Sequence, residues 1–351
     1  FQDVTGCGNS IAANRGHVRQ LILESLKCWA NELGIDGFRF DLGVALTRGE
    51  NLEPLDNPPL FEDIECDPDL SEIKLISEPW DCGGLYKIKD FPSEKTHTWN
   101  GHFRDDVRKF WKSDKNTAWN IRDKIMGSLS IYGDIQTYTK SINFITSHDG
   151  FTLKDLVTFN SKYNFSNREQ NRDGENHNNS CNYGVEGPSS NKKIKLLRKR
   201  QQKNFLLTLF CSRGTPMVLM GDEVGRSQGG NNNVWCQNNS LGWMSWNKYD
   251  QDLEILSFIK YLIKIRKKFI KYLNPVLLST HNNENISYEW HGIAPRKPDW
   301  SSWSHTIAFS INKDDMPLLW LGFNAYSENI KFTLPETNGA WCKVIDTNEE
   351  L

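Results

Sequence analysis

No Cys-x-x-Cys pair, His-x-His or His-Glu-x-x-His pattern, or phosphate-cradling glycine loop occurs in the 351 residues. Each absence removes a chemistry: zinc or dithiol redox centres, paired-histidine metallohydrolases and phosphoryl transfer. Charge of one sign is also lacking. The net charge is -2, from 42 basic and 44 acidic side chains interleaved along the chain, which argues against nucleic acid or a membrane surface as partner. No stretch reaches transmembrane length, and the mean hydropathy of -0.60 reads as a soluble globular chain. The N-terminus, Phe1-Gln2-Asp3, has neither Met nor a leader pattern, so the start is expected to be internal. Eight scattered cysteines are expected as free thiols of a reducing compartment, the cytoplasm or a plastid stroma. What the chain does have is aromatic: 13 Trp and 18 Phe, of which most belong in a core but some can serve as flat platforms for sugar faces.

Ile35-Asp36-Gly37-Phe38-Arg39-Phe40-Asp41 reads as a strand ending in a carboxylate, with Phe38 and Phe40 on one face and Arg39 and Asp41 on the other. A guanidinium two residues before a carboxylate would hold it ionised where water is scarce, as a nucleophile requires; a structural ion pair at a strand end fits the heptapeptide equally well. The strand is preceded by a helical period over Val18 to Leu33, stopped at Gly34. A short helix over Phe61 to Leu70 and a strand from Ile73 to Ser77 follow, closing on Glu78. A third strand is expected at Trp99 to Phe103, before a helix over Asp105 to Lys112. Ser141 to Ser147 reads as a strand closing on His148-Asp149-Gly150. A polar loop spans Asn160 to Asn191, then a helix covers Ile194 to Phe210, and the strand Thr215 to Met220 closes on Gly221-Asp222-Glu223. Leu253 to Phe269 is expected as a last helix burying Ile255, Leu256, Ile259, Leu262 and Ile263, with a solvated basic tail at Lys264 to Lys268. Beyond Pro275 the helical period gives way to short strands such as Thr306 to Ile311 and Ile330 to Leu334.

Four helix-fed strands, each ending in an acid, point to a (β/α)8 barrel read from the face where strand C-termini meet; a doubly wound open sheet is the alternative. The domain reading is a catalytic barrel over residues 1–274 and a small all-β sandwich over 275–351. On the barrel reading Asp41, Glu78 and Asp149 converge. Glycoside hydrolysis by retention needs such a pair, one carboxylate as nucleophile and one protonated acid, about 5–5.5 Å apart. Asp41 fits the nucleophile. Glu78, followed by Pro79 and Trp80, is expected in more apolar surroundings that suit an acid/base. His148 and Asp149 would grip sugar hydroxyls, while His148-Asp149 with Asp222-Glu223 could instead be metal ligands.

Gly37-Phe38-Arg39-Phe40-Asp41, Ser77-Glu78-Pro79-Trp80-Asp81 and Ser147-His148-Asp149-Gly150 resemble three of the four signature regions of the α-amylase superfamily, glycoside hydrolase family 13. Thr5-Gly6-Cys7-Gly8-Asn9, Trp99-Asn100-Gly101, Asn171-Arg172-Asp173-Gly174-Glu175-Asn176-His177-Asn178 and Gly230-Asn231-Asn232-Asn233 resemble its isoamylase and glycogen-debranching branch. The resemblance implies a retaining hydrolase of α-1,6 branch points in glycogen or amylopectin-like glucan. It implies Asp41 as nucleophile, Glu78 as acid/base and Asp149 as transition-state stabiliser, with Arg39, His148 and Trp80 binding substrate. It calls for no cofactor and allows no metal to be assigned. A superfamily member acting on α-1,4 bonds or transferring chains is the nearest alternative, and a silent glucan-binding subunit the alternative of another class.

Departures from the family pattern are plain. The Asp-x-x-x-Asn-His region is absent, and Cys236-Gln237-Asn238-Asn239 replaces the usual Cys-Gln-Asp-Asn. The chain is expected to begin near the third barrel helix and to stop within the β-domain, giving an incomplete barrel. By themselves these residues are therefore expected to be inactive or unstable; release of linear chains from amylopectin by the purified 351-residue chain defeats that expectation.

Overall fold

The structure is a computed structural model that describes residues 2–133, 137–247, 252–273 and 286–349. It divides into two compact units, Phe1–Asn100 with Ser130–Ile142, and Gly101–Leu129 with Asn143–Leu351.

In the first unit, α1 (Gly16–Lys27) runs into a π-helical turn, Cys28–Glu32, and stops before Gly34 as expected. β1 (Gly37–Phe40), β2 (Lys74–Ser77) and β3 (Thr96–Asn100) lie side by side in that order, with α2 (Pro59–Cys66) between the first two in sequence. β1 and β2 are parallel, Phe40 opposite Ser77, and β2 and β3 are parallel, Ser77 opposite Thr98. Pro59 at the first helical position of α2 has the backbone angle the helix needs and no N–H to waste. Phe40, Phe61, Ile64, Leu75 and Phe91 form the core beneath β1 and β2. The rings of Phe40 and Phe91 meet Phe61 edge-on at 5.3 and 5.0 Å. Of the apolar α1 stripe only Leu26 is fully covered, whereas Leu21, Trp29 and Leu33 are exposed.

The second unit opens with α3 (Gly101–Trp111) and α4 (Ala118–Ile125). The short α5 (Leu129–Tyr132) and strand β4 (Ser141–Phe144) straddle the division between the units. α6 (Leu153–Leu156), α7 (Lys192–Cys211), β5 (Thr215–Met217) and α8 (Leu253–Leu273) follow, with β4 beside β5. Phe103, Val107 and Phe110 on α3 join Phe205 and Leu209 of α7 and Phe258 and Leu262 of α8 in one core. β6 (Ile286–His291), β7 (Thr306–Lys313) and β8 (Met316–Asn324) complete the unit as an antiparallel meander. β7 is buried from Thr306 to Asn312, as a central strand covered on both faces must be. It turns into β8 through Asp314 and Asp315, whose φ of 50° and 64° are both left-handed, as a tight hairpin of this hand requires.

Several expectations shift. Phe103 belongs to α3, not to a strand over Trp99 to Phe103, because its spacing with Val107 and Phe110 is helical and all three are buried. Ile330 to Leu334 is no strand; among the described residues its backbone bond outside regular structure is Thr333 N–H to Ile293 O, 2.8 Å, and a ladder needs a series. Ile263 is exposed, and Phe258 takes the inward place on α8. The boundary at 274–275 lies outside the described residues. The basic tail of α8 is not wholly solvated either. Arg266 is buried and donates from Nη1 to the carbonyls of Phe210 (2.5 Å) and Ser212 (2.9 Å) and from Nη2 to that of Gly214 (2.6 Å). These are carbonyls at and beyond the end of α7 that no further helical turn could satisfy. Replacing Arg266 by Met should therefore cost about 3 kcal/mol of stability in a denaturant titration, the scale of charge-assisted bonds lost with their acceptors buried. Lys264→Met, two residues away and exposed, should stay within about 0.5 kcal/mol.

Candidate active site

Parallel pairing carries Arg39 and Glu78 to the same end of neighbouring strands, because Glu78 N–H continues the ladder to Phe40 O at 3.1 Å. Arg39 leaves β1 on the face opposite Phe40 and is shared. Its Nη1 meets Asp41 Oδ1 at 2.7 Å and its Nη2 contacts Glu78 Oε1. The guanidinium lies 4.5 Å from the centroid of the Trp99 ring. The two acids differ sharply in exposure: the Asp41 side chain is 70% exposed and that of Glu78 3%. An oxygen of each nevertheless lies within 4.8 Å of the other.

The other Glu78 oxygen, Oε2, accepts the N–H of Leu42 at 2.9 Å. Leu42 holds φ 41°, ψ 45°, a left-handed backbone that costs a leucine about 1–2 kcal/mol. The following turn is tight: a Cβ on Gly43 would stand 2.0 Å from Ser77 Oγ. Trp80 meets Tyr86 edge-on at 5.9 Å and Trp99 at 6.4 Å, so Tyr86, Trp80 and Trp99 form a wall beside the acids. Two expectations are thereby corrected. Asp41 is open to solvent, not withdrawn from it, and the oxygens of Glu78 face a guanidinium and a backbone N–H, not a mainly apolar wall. The sequence pointed to Trp80 but not to Trp99 or Leu42; the Trp99-Asn100-Gly101 motif was the available signal for the first, and a backbone conformation leaves no signal at all.

His148 and Asp149 stand in the second unit on the turn after β4, their side chains 50% and 74% exposed and 3.5 Å apart. That turn is pinned from below. Thr146 Oγ1 donates to Asp222 Oδ2 at 2.5 Å and Leu153 N–H to Asp222 Oδ1 at 2.9 Å, so one carboxylate clamps both flanks of the turn. Arg108 of α3 is wholly enclosed and donates to Ile145 O and Asn178 O, its guanidinium pulled down to about 9 by burial. Burial likewise pushes the Asp222 carboxyl up to about 7, against the hydrogen bonds from Thr146 and Leu153 that favour its charge. Asp222 is thus a structural clamp rather than a metal ligand, and Glu223 Oε2 is taken by Gly221 N–H at 2.7 Å. In the first unit Arg39 already supplies the positive charge between Asp41 and Glu78.

Asn238, where the family pattern has an acid, accepts the indole N–H of Trp243 at 3.1 Å through its side-chain oxygen. All eight cysteines are free.

Residues 289–350 match the family model described as "Isoamylase 1-3, C-terminal". Along 374 aligned positions the sequence is 40% identical to isoamylase SU1, chloroplastic, of Zea mays, covering 100% of this chain and 47% of that one. It is 37% identical over 344 positions to the glycogen debranching enzyme of Klebsiella pneumoniae, covering 97% of this chain and 50% of that one. The chain is a relative of the isoamylases and glycogen-debranching enzymes. It spans about half the length of the curated relatives it matches. In fold it resembles the type I pullulanase of Bacillus subtilis solved with maltose, with a TM-score of 0.67, 21% identity and coverage of 95% of this chain and 43% of that one. The described residues form a parallel α/β sheet and an antiparallel C-terminal sheet.

The raised Asp222 carboxyl makes the second unit pH-sensitive in a stated direction. An acid whose folded value, about 7, exceeds its unfolded value, 3.8, binds more protons folded than unfolded between the two, so its contribution falls as pH rises across that window. Asp222→Asn should retain an acceptor for Leu153 N–H and abolish this slope. Melting temperatures taken from pH 4 to pH 7 should fall more for the wild type than for the variant, and parallel curves would refute the clamp's raised value.

Proposed function

We propose that this chain carries the nucleophile and the acid/base of a retaining glycoside hydrolase that cleaves α-1,6 branch points of glycogen or amylopectin-like glucan. The observation that carries the reading is the approach of Asp41 and Glu78 to within 4.8 Å, one open and one buried, bridged by Arg39. That separation suits direct attack on the sugar; the inverting mechanism needs room for a water and about 6.5–9.5 Å.

Glu78 gives its proton to the glycosidic oxygen while Asp41 attacks the anomeric carbon, forming a glycosyl ester and freeing the first glucan chain. Glu78, now charged, takes a proton from water, which attacks the same carbon and releases Asp41 with configuration retained. Glu78 is buried, with Arg39 against one of its oxygens and the Leu42 N–H on the other. Arg39 also fixes the Asp41 rotamer, and Trp80 offers an apolar surface at which a pyranose ring can stack. His148 and Asp149 take the roles of hydroxyl ligand and transition-state stabiliser that the family pattern gives these positions.

The fold reading that accompanies this is a (β/α)8 barrel contributed to by residues 1–274 and a β-sandwich domain over 275–351. Support comes from the pullulanase likeness and from the match of residues 289–350 to an isoamylase C-terminal domain. The substrate class follows the relatives' names, which include glycogen debranching enzyme. The cytoplasm or plastid stroma fits the free thiols and the chloroplastic relative. No helix among the described residues is long and apolar enough to cross a membrane.

The test uses the full-length protein on amylopectin. Rising iodine colour with release of linear chains supports debranching, and short oligosaccharides instead would redirect the reading to α-1,4 bonds. Asp41→Asn should lower turnover by about three orders of magnitude or more, as loss of a nucleophile does, with glucan affinity retained. Unaltered rates would sink the assignment.

A further inference from the structure

The Asn-rich motif loops have so far no task in the chemistry, yet their side chains converge on one residue. Asn232 is buried, and every polar group it owns is engaged. Its N–H donates to Asn164 Oδ1 at 3.0 Å, and its Oδ1 accepts Asn164 Nδ2 at 2.8 Å, so the two asparagines lock reciprocally. Its Nδ2 donates to Glu175 O at 2.8 Å and to Asn178 Oδ1 at 2.9 Å. Its own carbonyl accepts the N–H of Gly150 at 2.9 Å. Gly150 is the residue after Asp149.

The surroundings leave this side chain one position. A Cβ on Gly174 would lie 2.4 Å from Asn232 Oδ1 and 2.7 Å from Asn164 Nδ2, and Gly174 has φ +73°, so only glycine lets the 171–178 loop close over the amide pair. Asn178, held by Asn232 through its side chain, has its carbonyl held by Arg108, which also grips Ile145 before the turn. Beyond the turn, Asp222 holds Leu153. The His148-Asp149 turn is therefore tied at Ile145 and Thr146 on one side, at Leu153 on the other, and at Gly150, next to the acid itself, by Asn232.

We propose that Asn232 is a positioning residue for Asp149. Its side chain is fixed by Asn164, Glu175 and Asn178 so that its main-chain carbonyl holds the Gly150 amide and thereby the direction in which Asp149 projects. The proposal deepens the glycoside-hydrolase reading and rests on it for the consequence to catalysis, but not for the contact. A buried asparagine whose every polar atom is hydrogen-bonded is costly to alter and is held from several sides, the properties a positioning element needs.

Asn232→Ala and the isosteric Asn232→Asp both remove the two Nδ2 donors. In the full-length protein each should lower kcat on branched glucan by on the order of ten- to a hundred-fold, the scale of a displacement near 1 Å, with KM little changed. Asn233→Ala is the control. It disrupts the same cluster, since Asn233 Nδ2 donates to Asp173 Oδ2 at 3.0 Å, without touching the turn. It should lose stability and keep kcat. Hydrogen exchange at the Gly150 amide, which needs no substrate, should speed at least ten-fold in both Asn232 variants and not in Asn233→Ala. Unchanged exchange at Gly150, or an equal loss of kcat in Asn233→Ala, overturns the proposal. A wild-type protein inert on branched glucan would reject the functional reading alone, leaving exchange to decide on Asn232; should Asn232→Ala not fold, the Asp variant decides.

Discussion

One guanidinium organises the first unit's chemistry. Arg39 lies against the Trp99 ring and reaches two carboxylates whose mutual repulsion would otherwise push them apart. Without it, Asp41 would lose the partner that fixes its rotamer and Glu78 would lose the guanidinium against its Oε1, and removing one member of a buried charge pair costs several kcal/mol. The parallel register makes the sharing possible. With Phe40 opposite Ser77, the residues just beyond each strand stand side by side, and a one-residue slip would turn Arg39 into the core and Phe40 out. The aromatic core at Phe40, Phe61 and Phe91 thus fixes the register, and the register fixes the charge pair.

The second unit solves a different problem with different means. His148 and Asp149 are 50% and 74% exposed, and the turn that carries them is fixed from beneath. Buried polar groups fix it. Arg108, Asp222 and Asn232 each hold backbone atoms flanking the turn rather than the functional side chains themselves. Backbone anchoring fixes the turn without using the side chains of His148 and Asp149 as its anchors. Its cost is a set of desolvated groups, visible in the lowered Arg108 and the raised Asp222.

What the sequence disclosed and what it hid follow from the range of the physics involved. The strands ending at Asp41 and Glu78 and helices α2, α7 and α8 were legible because periodicity and caps are local. Arg39 and Asp41 could be paired because two residues apart on a strand means one face. Glu78 was located, but its environment was misread: Pro79 and Trp80 are neighbours in sequence, whereas Arg39 and Leu42 are neighbours only after the strands pair. Arg266 was hidden for the same reason. Inside Lys264 to Lys268 it looks like any solvated cation, and only the end of α7, some fifty residues earlier, gives it acceptors. Phe103 was expected at the end of a short strand; its helical partners Val107 and Phe110 won because burying three side chains on one stripe outweighs a weak local preference.

The asparagine motifs show how a pattern can be read as a family mark without being understood. Gly230-Asn231-Asn232-Asn233 and the loop from Asn171 to Asn178 carry almost no hydrophobic information, so no periodicity explains them. An asparagine amide offers two donors and two acceptor sites on a short side chain, and a cluster of them can saturate buried loop backbone where no helix or strand is available. Asn164, Asn167, Asn178 and Asn232 do this among residues that lie 54 to 68 positions apart. The result is a long loop whose buried polar groups are paired as they would be in regular structure. A functional turn resting on such a loop can be held as firmly as one on a strand, which is why a stretch of the chain that looks like a linker is instead part of the scaffold beneath Asp149.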